Sequence, residues 1–352
     1  MQSFGINGFG RIGRTAFRVW WQRARESANL TMINTSGSMD VDGWAHLLKY
    51  DSNYGVLKEE IGIEKTQDAK DATPENPVIG YLHIGGQRIT VTAGRDPAAI
   101  PWHWGDVKVV VESTGVFLDA DKAGLHLHDG VQKVITTAPP KKEEGVDISV
   151  IGVKDFAQDS QIISNASCTT NCVAPIIKVM SEVFGVKKAM LNTIHSYTDD
   201  QNLHDNSHKD MRRARSAAMS IVPTTTGAAK TVGKIFEPAE GIFDGLAVRV
   251  PTPTGSLSDI VMITERATTI AEVNNALMVA SESPELKGIL AYTHDEIVSK
   301  DIVGSSESSI VDLSLTNVVA DDLVRIVSWY DNEYGYCCRL IDQVVRACSL
   351  VH

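Results

Sequence analysis

The stretch Gly8-Phe9-Gly10-Arg11-Ile12-Gly13 decides how this chain is read. It has the spacing G-x-G-x-x-G. It follows a short apolar run at 4–7 and opens a helical pattern at 11–27. Strand, glycine turn and helix together are the context in which that spacing carries meaning. The glycines permit a tight turn and a close approach of backbone to a pyrophosphate. The helix start adds unpaired N–H groups and partial positive charge. A nucleotide pocket at Gly8, Gly10 and Gly13 is therefore expected, the plainer alternative being a turn that only joins strand to helix.

Outward from that turn, the first half alternates short apolar runs with helical stretches. Strands are predicted at 4–7, 30–34, 107–112, 133–136, 148–153 and 162–164, and helices at 11–27 and 121–129. Runs that are β-branched and apolar on both faces, with helices between them, indicate a parallel sheet covered on both sides. The second half has longer predicted strands at 186–197, 245–251, 256–268, 309–316 and 324–331. Several alternate apolar with polar residues, so a mostly antiparallel sheet with one covered face is expected. The expected domains are 1–167 and 168–334, with a final helix at 335–352 returning to the first. The polar stretch 63–77 reads as an exposed loop.

The 352 residues are 43% hydrophobic and 22% charged, which is ordinary globular usage with ample material for a core. Net charge is −11, so a broad basic surface for nucleic acid is not expected. No run approaches the roughly 18 apolar residues of a membrane helix. Five cysteines, an odd and low number, argue for a reducing compartment, and a cytoplasmic protein is expected.

Two further features carry chemistry. A dinucleotide fold usually places Asp or Glu about 20 residues after the glycines, on the adenosine ribose. Here the second predicted strand ends in Asn34-Thr35-Ser36-Gly37-Ser38, and the first carboxylate is Asp40. A carboxylate would repel a 2′-phosphate, whereas hydroxyls donate to one. Use of NADP is therefore favoured, with binding of NAD alone by Asn34 or a backbone group as the alternative. The second feature is Cys168, which follows a strand and starts a helical pattern, where the helix dipole favours a thiolate. Cys172, one turn on, is expected in packing, and no metal site is expected from this pair. His195 ends a predicted strand. Placed beside Cys168, it would activate the thiol and shuttle protons.

These segments resemble glyceraldehyde-3-phosphate dehydrogenase along nearly the whole chain. The resemblance rests on Asn7-Gly8-Phe9-Gly10-Arg11-Ile12-Gly13-Arg14, His46-Leu47-Leu48-Lys49-Tyr50-Asp51-Ser52, Glu112-Ser113-Thr114-Gly115-Val116-Phe117, residues 164–172, Arg249-Val250-Pro251-Thr252-Pro253 and Ser328-Trp329-Tyr330-Asp331-Asn332-Glu333. It implies a Rossmann-type doubly wound parallel sheet plus an α+β catalytic domain, an α/β protein forming a homotetramer. It implies oxidative phosphorylation of glyceraldehyde 3-phosphate with inorganic phosphate, Cys168 being the nucleophile and His195 its base. Arg11 and Ile12 would touch the cofactor pyrophosphate. Arg95, Thr114, Gly115 and Thr137 would line its pocket, and Asn332 would hold the carboxamide. The substrate phosphate falls on Thr198 and Arg249, and inorganic phosphate on Ser167, Thr169, Arg212, Thr226 and Gly227.

Two departures bear on the cofactor. Thr35 stands where the family usually has Asp, and Ser207 where strictly NAD-using members have proline. Both lean toward NADP, alongside NAD. The sister enzyme erythrose-4-phosphate dehydrogenase shares the nucleotide and Cys–His motifs and is the alternative, though Tyr197-Thr198 and Thr225-Thr226-Gly227 keep the form expected for phosphate-dependent oxidation.

Overall fold

The strand before the glycine turn is Ser3–Asn7 (β1), with Phe4 and Ile6 fully buried. In the computed structural model, which describes residues 1–352, the chain forms two compact units. One holds 1–149, 156–166 and 337–352, the other 150–155 and 167–336. Relative to the limits expected from sequence, residues 150–155 group with the second unit, and the junctions fall at 166/167 and 336/337.

The first unit continues with helix Arg11–Arg23 (α1), strand Asn29–Thr35 (β2), helix Val41–Lys49 (α2) and a small ribbon of Tyr50–Asp51 (β3) and Gly55–Val56 (β4). Strands Gly62–Lys65 (β5), Val78–Ile84 (β6), Gln87–Ala93 (β7) and Val107–Glu112 (β8) follow, then the short helix Ala120–Ala123 (α3). Lys133–Thr136 (β9), Asp147–Ile148 (β10) and Ile162–Ser164 (β11) complete a sheet ordered β10-β11-β9-β8-β1-β2-β7-β6-β5. Pairing is parallel from β10 to β7 and antiparallel at β6 and β5.

The physical reason lies in the residues. Val107, Val109, Val110 and Val111 of β8 have no exposed surface, so this strand is apolar on both faces, as a central parallel strand must be. On one face α1 lays Phe17 and Trp20 edge to face at 5.4 Å, with Phe4 of β1 5.9 Å from Trp20. Such aromatic pairs add about 0.5–1.5 kcal/mol each beyond their burial. The Trp20 indole N–H donates to Ala28 O at 2.7 Å, so the ring is buried without an orphaned donor. After β7 the chain crosses to the other side of β1 to form β8. The crevice outside the carboxyl ends of β1 and β8 is thus a topological switch point, where open α/β sheets take their ligands.

Several sequence expectations need correction. Residues 63–77 are not wholly a loop, because β5 pairs with β6 as an edge strand. Its side chains are mostly exposed, so it shows no apolar alternation. The β6–β7 hairpin, turning through Gly85 and Gly86 at φ +53° and +85°, had no counterpart in the reading of the sequence. The strand expected at 148–153 ends at Ile148, Gly152 standing at φ +85°. Helix α1 stops at Arg23 rather than 27, and the helix expected at 121–129 is α3 plus a 3₁₀ turn to His126.

The second unit starts with helix Cys168–Phe184 (α4) and strand Val186–Ser196 (β12). Strand Val222–Thr225 (β13), helix Ala228–Ile235 (α5), strands Phe243–Val250 (β14) and Ser256–Thr264 (β15), and helix Ile270–Ser281 (α6) follow. Leu290–Thr293 (β16), Ser309–Asp312 (β17), Asn317–Val319 (β18) and Leu323–Tyr330 (β19) close the sheet, ordered β13-β14-β12-β15-β19-β17-β16, with β18 beside β19. Two pairs, β12–β14 and β16–β17, are parallel and the rest antiparallel. Burial alternates strictly along β15, as expected for a sheet with one covered face. Helix α4 packs on that face through β15, β17 and β19, burying Val173, Ile176, Ile177 and Met180. The strands expected to 268 and 316 end at Thr264 and Asp312. The last helix, Tyr334–Leu350 (α7), carries its C-terminal part into the first unit, where Gln343 donates to Ser149 Oγ at 2.9 Å and Arg346 lies over Phe156.

Candidate active site

The first unit holds a cavity of about 470 Å³ at the carboxyl ends of β1, β2 and β8. Gly8 stands at φ +92°, a conformation that suits glycine, and its N–H donates to Asn34 O at 2.9 Å. Gly10 caps α1 without a side-chain partner, and a Cβ there would meet nothing within 4 Å. Backbone N–H groups at the start of α1 are therefore left open to a ligand. The lining includes Gly8, Gly10, Asn34, Thr35, Ser36, Arg95 and Thr114, and no carboxylate. These residues fit a dinucleotide pyrophosphate. Gly13 fixes the approach of helix to strand, since a Cβ on it would lie 2.1 Å from Gly8 O. Gly13→Ala is expected to push α1 off the turn and to weaken dinucleotide binding at least about tenfold, or ~1.4 kcal/mol. Calorimetric titration, with circular dichroism as a fold control, checks this.

The structure places the other nucleotide candidates unequally. The Arg11 guanidinium is tied to Asp51 at 2.6 Å, so its contribution to an anion is its backbone N–H, as for Ile12 beside it. Arg95 is exposed and forms no ion pair. Thr114 is held by Glu112 through both its N–H and its hydroxyl, and Gly115 follows at φ +74° in open space. Thr137 donates from N and Oγ1 to Glu112 O, both at 3.1 Å. Thr35 does not present a donor outward: its hydroxyl is buried and donates to Thr92 O at 3.1 Å. Asn34 is likewise turned inward, bonding Asn7, Gly94 and Thr92. Ser36, quoted from the sequence among the hydroxyls that end the second strand but not among the named site residues, is exposed and lines the cavity. Ser207 lies on an exposed loop of the second unit.

In the second unit Cys168 is the first residue of α4. Ser167 caps that helix, its Oγ accepting from Thr170 N at 3.1 Å. Cys168 Sγ stands 3.4 Å from His195 Nε2, His195 being on β12 and 4% exposed. His195 Nδ1 is 2.7 Å from Ser196 O. A carbonyl only accepts, so Nδ1 carries the proton and Nε2 turns a lone pair to the sulfur. Burial pushes the Cys168 thiol up, outweighing Arg249 and the hydrogen bonds that hold it down. Burial, aided by the Arg249 charge, pushes His195 down to about 3. Burial thus opposes the charged form of both groups, while the Arg249 charge favours the thiolate and opposes the imidazolium. Cys172 is fully buried, as expected, and burial pushes it up to about 11.

Around this pair Tyr330 Oη bonds Thr169 Oγ1 and Thr193 Oγ1, each at 2.9 Å, which sets the floor beneath Cys168. Neither Tyr330 nor Thr193 was singled out from sequence. Arg249 lies beside His195 in the β12–β14 register and donates to Thr198 Oγ1 at 2.7 Å and Ser196 O at 3.2 Å. Its Nε is buried without a partner. Of the arginines at 212–215, Arg213 pairs with Asp200 and Arg215 with Asp205, leaving Arg212 exposed and unpaired in a turn. Gly227 opens α5 without a side-chain cap, and Thr226 Oγ1 accepts from Ala228 N at 3.2 Å. Asn332 Oδ1 accepts from Gly255 N at 3.1 Å and Ser256 Oγ at 2.9 Å, which fixes its amide.

Known proteins are similar to this chain in sequence. Residues 2–120 match the family described as glyceraldehyde 3-phosphate dehydrogenase, NAD binding domain, and residues 167–332 its C-terminal domain. A glyceraldehyde-3-phosphate dehydrogenase of Mycobacterium bovis is 47% identical over 345 residues, covering 97% of this chain and 96% of the relative. Glyceraldehyde-3-phosphate dehydrogenase 2 of Trichormus variabilis is 46% identical over 340 residues, 96% of each chain. The chloroplastic glyceraldehyde-3-phosphate dehydrogenase A of Chlamydomonas reinhardtii is 43% identical over 96% of this chain and 86% of its own.

Proposed function

Since the chain belongs to the glyceraldehyde 3-phosphate dehydrogenase family, and so to the oxidoreductases, we propose that it oxidises glyceraldehyde 3-phosphate with inorganic phosphate through a thioester on Cys168. The observation that carries this reading is the 3.4 Å contact of Cys168 Sγ with the Nε2 lone pair of a buried His195. Sγ attacks the aldehyde carbon and passes its proton to Nε2, which returns it to the new alkoxide. The backbone N–H of Cys168, at a helix start, helps to hold that developing oxyanion. His195 then removes the hydroxyl proton as hydride leaves the carbon, giving the thioester. A bound nicotinamide dinucleotide supplies the hydride acceptor. An oxygen of inorganic phosphate next attacks the thioester carbon. The C–S bond breaks, releasing acyl phosphate and the Cys168 thiolate, which recovers a proton from His195.

Thr198 and Arg249 take the substrate's phosphate ester in this reading, supported by the orphaned Arg249 Nε. Ser167, Thr169, Arg212, Thr226 and Gly227 take inorganic phosphate, supported by the unpaired Arg212 and the uncapped start of α5. Asn332 holds the carboxamide, and the assembly is a homotetramer.

The dinucleotide is NADP as well as NAD. The inward-turned Thr35 removes one support from that reading. The cavity nonetheless has no carboxylate in its lining to repel a 2′-phosphate, and it presents Ser36 and Arg95. Steady-state kinetics with each cofactor check this: kcat/KM values within about tenfold of each other are expected, the scale of one charge–hydrogen-bond interaction. A preference for NAD of several hundredfold would refute it. The same assays, run with and without phosphate, test the phosphorylating reaction itself.

A further inference from the structure

The first carboxylate after β2 is Asp40, at the N-cap of α2. An aspartate there commonly accepts from the first turn of its own helix. The Asp40 side chain makes no such cap. Its Oδ1 accepts instead from Ala69 N at 2.6 Å, and its Oδ2 takes the Lys65 ammonium at 2.7 Å. Lys65 ends β5, and Ala69 opens a 3₁₀ turn at Ala69–Asp71. Both belong to the polar stretch 63–77, none of which lines the dinucleotide cavity. Lys65 also pairs with Asp68 at 2.6 Å, and Lys70 with Asp68 at 3.5 Å, so two carboxylates and two ammonium groups offset one another. The stretch is fixed by bonds of its own. Gln67 Nε2 donates to Asn76 O at 2.8 Å and Val78 O at 2.7 Å, and Thr66 Oγ1 to Val78 O at 2.9 Å. Its contact with the loop after β2 is close: a Cβ on Gly37 would lie 3.6 Å from Ala69 O. Ala69 is thus buried between Gly37 and Asp40. The residue before Gly37 is Ser36, which lines the cavity.

We propose that Lys65 and Ala69 are specificity-determining residues for the dinucleotide: they withdraw Asp40 from the adenosine ribose and offset its charge, so that the cavity lined by Ser36 accepts a 2′-phosphate. This deepens the reading of NADP as well as NAD use and rests on it. A carboxylate free in the loop after β2 accepts from a ribose 2′-hydroxyl and repels a 2′-phosphate. Here both carboxylate oxygens already have donors. The Ala69 N–H and the Lys65 ammonium also hold the Asp40 carboxyl below its usual range, so it is the ion pair and not protonation that offsets the charge. The rest of the loop, Ser36-Gly37-Ser38-Met39, carries no charge. The device therefore reduces to one carboxylate and the cation that answers it. Both side chains are partly exposed, so water and salt screen the effect, and a factor of about three to ten in relative affinity is its expected size.

The test is calorimetric titration of the full-length protein with adenosine 2′,5′-bisphosphate and with adenosine 5′-monophosphate, which differ only in the 2′-phosphate. The wild-type protein is expected to bind the two within about tenfold of each other. Lys65→Gln is expected to weaken the bisphosphate by about three- to tenfold relative to the monophosphate, and the NADP-to-NAD ratio of kcat/KM is expected to fall with it. Adding Asp40→Asn to Lys65→Gln is expected to restore the wild-type ratio, which a loss of local structure would not do. A ratio unchanged in Lys65→Gln overturns the inference and leaves NADP use standing. A double variant as poor as Lys65→Gln also overturns it, because the loss is then not due to Asp40. A wild-type preference for the monophosphate of several hundredfold overturns NADP use and the inference together. Asp40→Asn alone keeps the inference testable if Lys65→Gln fails to fold. Its ratio is expected to stay within about threefold of wild type, since the charge it removes is already offset. A gain of tenfold or more for the bisphosphate in that variant shows that Asp40 still repels the 2′-phosphate, and overturns the inference.

Discussion

Cys168→Ser is expected to abolish aldehyde oxidation, with turnover falling at least about 10⁴-fold, the range seen when an essential nucleophile is removed. Serine preserves the size of the side chain and its place as first residue of α4, so Ser167 can still cap the helix. What changes is chemistry. A hydroxyl is far less acidic than a thiol and gives an ester in place of a thioester, so phosphate no longer finds a ready leaving group. The reaction is followed by absorbance at 340 nm with aldehyde, phosphate and either dinucleotide. Binding of the dinucleotide, measured in parallel, is expected to be unchanged because Cys168 does not line its cavity. Turnover within tenfold of wild type would sink the assignment of Cys168.

His195→Asn is expected to slow oxidation by about 10²–10⁴-fold, the usual worth of general acid–base catalysis. Asparagine retains a hydrogen-bonding group near Ser196 O and Arg249 but has no basic nitrogen for the Cys168 proton. Because His195 Nε2 stands 3.4 Å from Cys168 Sγ, removing the base affects the formation of the thiohemiacetal as well as its oxidation. The rate of Cys168 alkylation by a neutral reagent should therefore fall together with kcat. An alkylation rate that is unchanged across pH 6–9 would mean that the thiol is activated by something other than His195. Loss of folding is checked separately by thermal denaturation.

The nucleotide turn was legible in the sequence because its physics is local. Gly8, Gly10 and Gly13 lie within six residues, and their backbone requirements do not depend on distant packing. The central strands were legible for a related reason: β8 is valine-rich on both faces, and few settings other than a covered parallel sheet accept that. The edge of the same sheet was missed. Strand β5 is held by backbone pairing to β6 and by ion pairs of Lys65 with Asp40 and Asp68, and neither leaves an apolar pattern to read. Helix α6 was missed in the other direction, since its apolar residues are spread around the helix, with only Val273, Leu277 and Ser281 buried.

For the site, the sequence by itself determined which residue types are present and which lie next to a turn or a helix start: the cysteine at the head of α4, the histidine late in β12, and the missing carboxylate after β2. Side-chain direction was decided only in the folded chain. Thr35 turns inward to Thr92 because the end of β2 sits against β7, and the exposed hydroxyl is that of Ser36, just beyond the strand. Partners 27 or 54 residues apart were decided there as well. Cys168 meets His195, and His195 meets Arg249, through a helix-to-sheet packing and a strand register that no local pattern encodes. Burial belongs to the same class: it pushes the thiol up and the imidazole down, and it exists only once α4 has closed over the sheet.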